Sequence, residues 1–187
     1  LTMLERSSIL LPMNTLSVAR RAAVIRALVE GASIRSVARM THTDKDTVLR
    51  ILVEVGEFCS TYQHYALRNL NTTVVEADEI WAFVGAKEAN KTHAGQGDIW
   101  TWTAIDADSK LSISWLVGPR NGVSARAFMH DLASRLKNRG QLSTDKLNWY
   151  RAAVEEAFGW NGTEYAMISK TFGNIADERG RGRYSSS

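Results

Sequence analysis

The sequence predicts an α/β domain with a mixed β-sheet, preceded by a smaller all-α domain. Two observations predict this fold class. Hydrophobic residues follow a helical period before residue 70 and the period of β-strands in segments after residue 71. From residue 73 onward, strand-like and helix-like segments alternate in the order β-β-β-α-β-α-β, which is typical of a mixed sheet. The expected domains are therefore residues 1–70 and 71–187.

The composition is that of an ordinary globular protein. The chain has 187 residues, 44% hydrophobic and 23% charged, which is enough for one sizeable core and a small accessory domain. Its single cysteine, Cys59, excludes a disulfide framework or a multi-cysteine zinc cluster within this chain. No apolar run approaches the roughly 20 residues that span a bilayer. We therefore expect a cytoplasmic protein without a membrane partner.

The excess positive charge lies in the N-terminal domain. Residues 1–70 contain nine Lys/Arg and six Asp/Glu, so that 9 − 6 = +3, whereas residues 71–187 contain fourteen of each, so that 14 − 14 = 0. This distribution is compatible with phosphate contacts made by the N-terminal domain.

The N-terminal domain is predicted to contain three helices. The first covers residues 16–30 and ends at Gly31, a residue that favours helix C-termini. Ser33 is expected to cap a second helix that runs to residue 40. Thr43 is expected to open the third helix, with Asp46 as a capping-box-like partner. The apolar face of the third helix is predicted to consist of Val48, Ile51, Leu52, Val55 and Phe58.

The short spacing between the second and third helices favours a helix-turn-helix module that binds DNA. The early part of the third helix, which enters the major groove in such modules, carries polar and basic side chains, and the second helix carries arginines that could reach phosphates. His42 occupies the turn, where glycine is usual. An alternative is a helical bundle that forms a homo-oligomer. The predicted DNA-binding residues are Arg35, Arg39, Lys45, Thr47 and Arg50.

The second domain is predicted to have five strands in the order 3-2-1-4-5. Three strands form an antiparallel meander, and the fourth and fifth follow through helical crossovers. The first and fourth strands would lie side by side, about 4.8 Å apart. This is the strand order of a ribonuclease-H-like domain. The predicted strands are 73–84, 99–105, 111–117, 141–145 and 165–169, and the helices 124–138 and 148–158.

Asp78 and Asp145 are the candidate functional residues of this sheet. Each lies in or at the end of a predicted strand, where burying an unpaired carboxylate is costly and aspartate is depleted. At a common sheet edge, the two would suit a hard divalent cation with oxygen ligands. The alternatives are a turn or capping role for Asp145 and a salt bridge for Asp78. Glu79 is expected on the opposite strand face and is not included.

Other polar and aromatic residues have simpler explanations. Asp106 and Asp108 fall in a predicted hairpin turn, where aspartate is common. Trp100 and Trp102 share one strand face, and packing is the interpretation we favour over stacking on unpaired bases. The Arg-Gly tail at residues 179–184 is expected to be a disordered end.

These segments resemble the bacterial insertion-sequence-one (IS-one) type DDE transposases. The similarity extends from about residue 16 to residue 184, and its N-terminal part resembles the helix-turn-helix region of that family. Two of the motifs are unusual strings. The matching motifs are ADEIWAFV at 77–84, DIWTWTAID at 98–106, SWLVG at 114–118 and LSTD at 142–145.

The resemblance implies an enzyme that cleaves and rejoins double-stranded DNA during transposition. Asp78 would be the first catalytic carboxylate and Asp145 the second, together holding a pair of Mg²⁺ or Mn²⁺ ions. One ion would activate water or a DNA 3′-hydroxyl, and the other would stabilise the leaving oxygen. The substrates would be the terminal inverted repeats of the element and the target DNA, recognised through the N-terminal domain.

The resemblance has one gap. The family's third carboxylate, a glutamate on a later helix, has no matching position before residue 187. The resemblance therefore implies a chain that lacks the last helix of the catalytic domain, with activity reduced or lost for want of a ligand. The alternative function is a non-catalytic DNA-binding protein, either a relic or a repressor of the element.

Overall fold

A computed structural model describes residues 16–159, 162–168, 172–176 and 182–186. The chain divides into two compact units between Tyr65 and Ala66. Within the described residues, five α-helices and a five-stranded mixed sheet form the main elements. None of these helices is both long enough and apolar enough to cross a membrane.

The first unit contains three helices, α1 (Val18–Val29), α2 (Ile34–Met40) and α3 (Lys45–Ala66). Gly31 adopts a left-handed φ of +79° after α1, as its position at the helix end predicts. Ser33 caps α2, because its hydroxyl accepts a hydrogen bond from the Ser36 amide at 3.2 Å. The prediction for the start of α2 is therefore confirmed.

The start of α3 differs from the prediction. Asp44 is the capping residue, since its Oδ1 accepts hydrogen bonds from the amides of Asp46 at 2.8 Å and Thr47 at 3.4 Å. Thr43 was predicted to open the helix, but its hydroxyl donates to the Thr41 carbonyl instead. Aspartate replaces threonine as the cap because it lies one residue nearer the helix and offers a charged acceptor to the exposed amides.

The turn between α2 and α3 contains a left-handed residue. His42 has a φ of +49°, a conformation that glycine adopts at little cost. The sequence therefore places a histidine where the backbone requires the geometry usually given to glycine.

The core of the first unit is formed by Val24, Val37, Val48 and Ile51. The predicted apolar face of α3 was only partly right, because Leu52 is 43% exposed and Phe58 is 70% exposed. Leu52 directly follows buried Ile51 and is exposed because consecutive helix residues point about 100° apart, whereas the exposure of Phe58 follows from helix length. The 22 residues of α3 extend about 33 Å, whereas the 12 residues of α1 extend about 18 Å and the 7 of α2 about 10 Å. The shorter helices cover only the first turns of α3.

The second unit is built on one mixed sheet. Its strands are β1 (Val74–Val84), β2 (Gly97–Asp106), β3 (Ser112–Gly118), β4 (Gln141–Asp145) and β5 (Glu164–Ile168). They lie in the order β3-β2-β1-β4-β5, which confirms the predicted order. The pairs β1–β2 and β2–β3 are antiparallel, and β1–β4 and β4–β5 are parallel.

Two helices connect the strands and cover one face of the sheet. These are α4 (Gly122–Arg135), between β3 and β4, and α5 (Asn148–Phe158), between β4 and β5. Trp102 is fully buried between them and the sheet, with its ring 6.0 Å from Phe128 and 5.6 Å from Tyr150. Packing is thus confirmed for Trp102. The core of this unit is formed by Val75, Ala77, Trp102, Ala104, Ile113, Ala125, Phe128, Met129, Leu132, Leu142, Tyr150, Ala153, Val154 and Phe158.

Helix α4 ends three residues earlier than predicted. After Arg135 the backbone becomes extended and bonds with Leu70, whose amide donates to the Arg135 carbonyl at 3.0 Å. Asn138 was predicted to end the helix, but its side chain accepts from the Thr72 amide at 2.9 Å and donates to the Thr72 carbonyl at 2.6 Å. These long-range bonds replace the last helical turn.

The end of the chain contains an additional hairpin. Strands β6 (Phe172–Ala176) and β7 (Gly182–Ser186) pair in antiparallel fashion. The prediction of a disordered Arg-Gly tail at residues 179–184 is therefore wrong for residues 182–184, and residues 179–181 lie outside the described part of the chain.

Candidate metal centre

The predicted aspartates meet at the carboxyl end of β4. The last paired positions of the parallel strands are Ala77 in β1 and Thr144 in β4, so the next residues along each strand are Asp78 and Asp145. One carboxylate oxygen from each of Asp78, Glu79 and Asp145 lies within 4.8 Å of the other two. The structure therefore brings the two predicted residues together and adds a third carboxylate.

Asp78 lies on the exposed side of this cluster. Its Oδ1 accepts a hydrogen bond from the Glu79 amide at 2.8 Å, and its backbone carbonyl accepts one from the Thr103 hydroxyl at 3.3 Å. These two hydrogen bonds hold Asp78 beside β2 and fix the position of its carboxylate.

The two oxygens of Asp145 have different surroundings. Oδ1 accepts a hydrogen bond from the Leu147 amide at 3.0 Å, in the turn that leads into α5. Oδ2 lies 3.6 Å from Nη2 of Arg120. The turn role considered from the sequence therefore accounts for one oxygen only, and the other faces the charged cluster.

Glu79 is the unexpected member of the cluster. Its side chain is only 1% exposed, so it lies on the buried strand face, as alternation requires. Its carboxylate nevertheless reaches the cluster, which the strand-face argument did not anticipate. Because β4 ends at Asp145 while β1 continues to Val84, no strand separates the two faces beside Glu79. A carboxylate at a core-facing position of an apolar strand is itself a signal that sequence reasoning could have used.

Arg120 joins two of the carboxylates. Its Nε donates to Oε2 of Glu79 at 2.9 Å, and its guanidinium carbon lies 4.7 Å from the centre of the Trp100 ring. Arg120 was not among the residues predicted from the sequence. Topology contains the missing signal, because β3 runs parallel to β1 and the segment after β3 reaches the same end of the sheet as Asp145.

The buried part of the cluster is not fully paired. Oε1 of Glu79 and the hydroxyl of Tyr150 are both buried without a hydrogen-bond partner of normal geometry. Burial raises the pKa of Glu79; the nearby Tyr150 hydroxyl and Arg120 oppose this rise, and Asp145 adds to it. Burial also raises the pKa of Tyr150, with a further contribution from Glu79. A buried carboxylate whose nearest donor is a neutral tyrosine hydroxyl of poor geometry fits a site that receives a cation.

A cavity of about 350 Å³ opens beside the two aspartates. Its lining includes hydroxyl groups as well as carboxylates. Glu79 and Arg120 are not part of its wall, so the cluster lies between this cavity and the helix-covered face of the sheet. The polar residues of the wall are Glu76, Asp78, Thr103, Ser143, Thr144 and Asp145.

The residues predicted to bind DNA lie on α2 and the start of α3. Arg35 and Arg39 are exposed on α2, one helical turn apart. Lys45 and Arg50 are exposed on α3, where Arg50 pairs with Glu54 at 3.8 Å. The predicted basic positions are therefore accessible.

Thr47 is half-buried, and its backbone amide donates a hydrogen bond to the carboxylate of Asp44, the capping residue of α3. Its hydroxyl is accordingly less accessible than the basic side chains beside it.

Comparison with known proteins gives no assignment. No protein-family model matches the sequence, and no curated protein is similar to it. The transposase resemblance and the roles it implies stay predictions.

Proposed function

We propose that this protein is the transposase of a bacterial insertion sequence, which binds the terminal inverted repeats and catalyses metal-dependent cleavage and strand transfer of DNA. The observation that carries the proposal is the cluster of Asp78, Glu79 and Asp145, whose oxygens lie within 4.8 Å of one another at the carboxyl end of β4. Oxygen ligands of this kind are those that Mg²⁺ and Mn²⁺ prefer.

The strand order supports a ribonuclease-H-like assignment for the second unit. A five-stranded sheet in the order β3-β2-β1-β4-β5, with β1 and β4 parallel, brings the two aspartates to neighbouring positions. Fold alone does not define an activity, so the proposal depends on the carboxylates rather than on the sheet.

Residues on the exposed and the buried sides of the cluster would both bind the metal ions. Bound divalent ions would supply activation of the attacking oxygen and stabilisation of the leaving oxygen. Asp78 and Asp145 would hold the ions at the cavity, and Glu79 would complete the ligand set from the buried side. The hydroxyl of Ser143 lines the same cavity, where it could donate to a phosphate oxygen.

The three N-terminal helices would act as a helix-turn-helix module. The tight turn at His42 and the exposed basic residues Arg35, Arg39, Lys45 and Arg50 support this role. Such a module positions its recognition helix, here α3, in the major groove and uses neighbouring basic residues on phosphates. A cytoplasmic location is part of the same proposal.

One observation favours the alternative of a non-catalytic DNA-binding protein. Arg120 pairs with both Glu79 and Asp145, so the cluster has a counter-ion without any metal. A relic or repressor would bind DNA in a salt-dependent manner through its N-terminal helices and would have no metal-dependent chemistry.

The experiment is DNA strand cleavage and joining with Mg²⁺ or Mn²⁺ on duplexes that carry the ends of the element. We expect Asp78→Asn and Asp145→Asn each to abolish cleavage while DNA binding is retained. Asp98→Asn is the matched control, because Asp98 is an exposed β2 carboxylate outside the cluster. Metal-dependent cleavage that survives both substitutions would disprove the assignment, whereas DNA binding without cleavage in the native protein would favour the alternative.

A further inference from the structure

The surroundings of Arg120 carry an inference beyond the metal site itself. Its guanidinium is held unequally by its neighbours. On one side Nε bonds the almost fully buried Glu79 at 2.9 Å and the group stacks on Trp100. On the other side Nη2 lies 3.6 Å from Asp145, whose side chain is 26% exposed. Arg120 is therefore held firmly at Glu79 and loosely at Asp145.

The charges of the cluster explain why the looser contact between Arg120 and Asp145 matters for metal binding. In their ionised forms, three carboxylates and one guanidinium sum to −3 + 1 = −2, so the cluster keeps a net negative charge that attracts divalent cations. The guanidinium lies between Glu79 and Asp145, so a cation that takes Asp145 as a ligand competes with it directly. Arg120 uses only Oε2 of Glu79, whereas Oε1 lies near the Tyr150 hydroxyl without a hydrogen bond of normal geometry, so Glu79 can keep Arg120 on one oxygen while the other faces a metal ion.

We propose that Arg120 is a resident counter-ion that competes with the divalent metal for Asp145 and passes to a DNA phosphate when the metal binds. Its bond to Glu79 and its stacking on Trp100 are retained, and only the Nη2 end moves. Arginine suits this role because its fork of donors can hold a carboxylate with one nitrogen and a phosphate with another. The inference rests on the proposed function, since it requires a metal site at these carboxylates.

The first test measures Mn²⁺ affinity by calorimetry on the full chain. Arg120→Gln removes the competing charge, so we expect Mn²⁺ to bind about fivefold more tightly than in the native protein, equivalent to about 1 kcal/mol. Arg126→Gln is the matched control, because it removes the same charge from a surface pair with Glu156. The affinity of the control should be unchanged.

A second test covers the phosphate contact. In the presence of Mn²⁺, Arg120→Gln should reduce the dependence of DNA affinity on salt by about one ion, whereas Arg126→Gln should leave it unchanged. NMR of the Arg120 Nη–H signal in the native protein provides a measurement that needs no folded variant, because Nη2 is the nitrogen that contacts Asp145. This signal should shift on addition of Mg²⁺, and that of Arg126 should not.

The outcomes separate the two proposals. If the native protein binds no Mn²⁺, the metal site is wrong and this inference fails with it. If the native protein binds Mn²⁺ but Arg120→Gln binds it equally or more weakly, the metal site stands and the competition is refuted. An Arg120 signal that ignores Mg²⁺ in a metal-binding protein refutes it as well.

Discussion

The ion pair between Asp131 and Arg135 yields a quantitative prediction about stability. Asp131 Oδ2 accepts from Arg135 Nε at 2.6 Å and from the hydroxyl of fully buried Ser114 at 2.5 Å. The Arg135 side chain is only 9% exposed. The bond from Ser114 joins β3 to α4, the two elements whose connection carries Arg120, and the Arg135 bond lies within α4. Losing them would weaken the support of the site as well as the fold.

Asp131→Ala would leave a nearly buried guanidinium and a buried hydroxyl without their acceptor. Breaking a buried ion pair costs about 3–5 kcal/mol. Since the Asp131 side chain is 34% exposed, water can replace part of the lost interaction. We therefore expect the free energy of unfolding to fall by about 2 kcal/mol at pH 7.

The effect should depend on pH. Burial raises the pKa of Asp131, but the hydrogen bonds from Arg135 and Ser114 outweigh it, so the folded pKa lies below the ordinary value. The unfolded state therefore binds the proton more readily. The stabilisation is present above the unfolded pKa of about 3.9 and is lost as the pH falls through the folded pKa.

The assay is urea denaturation of the native chain and of Asp131→Ala at pH 7 and pH 3. The difference between the two proteins should be largest at pH 7 and should shrink at pH 3. Glu156→Gln is the control, because its pair with Arg126 is about half exposed on both sides and should contribute less than about 0.5 kcal/mol. A difference below 0.5 kcal/mol for Asp131→Ala at pH 7, on the order of a surface pair, would refute the reasoning.

Three further predictions concern the site and the caps. A Cβ on Gly140 would lie 2.3 Å from the Thr73 carbonyl oxygen, so Gly140→Ala should push β4 from β1, destabilise the fold by about 1–3 kcal/mol in urea and weaken Mn²⁺ binding. Glu79→Gln should weaken Mn²⁺ binding about tenfold or more by calorimetry, and an unchanged affinity would remove Glu79 from the ligand set. Asp44→Ala should cost about 1 kcal/mol in urea denaturation, and Asp46→Ala less, because only Asp44 accepts the cap bonds.

The strand order could be predicted because it depends on local signals. Alternating hydrophobic residues located all five strands of the main sheet, and the short turn at Asp106 fixed the antiparallel pairing of β2 and β3. The end of α4 could not be predicted in this way. There the chain leaves the helix because residues 70 and 72, more than sixty positions earlier, supply the hydrogen-bond partners.

The candidate site was predictable in part for a similar reason. Asp78 and Asp145 are separated in sequence but become neighbours as soon as the strand order is known. Glu79 was missed because the alternation of side chains along a strand predicts only the face on which each side chain lies. It does not show that β4 ends beside Glu79, which lets a side chain on the buried face reach the aspartates. Arg120 lies in a loop without periodicity, and only the direction of β3 indicates its position.

The cluster has two parts that depend on each other: a buried layer of Glu79 and Arg120, and an acidic layer of Asp78 and Asp145 at the cavity. Two ionised carboxylates whose oxygens lie within 4.8 Å of each other repel by at least about 3 kcal/mol at an effective dielectric constant near 20, so three together oppose folding unless a cation lies among them. Arg120 supplies that cation from the helix-covered face, where Trp100 and Glu79 hold it. Asp78 and the exposed part of Asp145 remain accessible at the cavity. The buried layer thus allows the acidic layer to exist in the folded protein, and its loose contact with Asp145 is the point at which a divalent cation could enter.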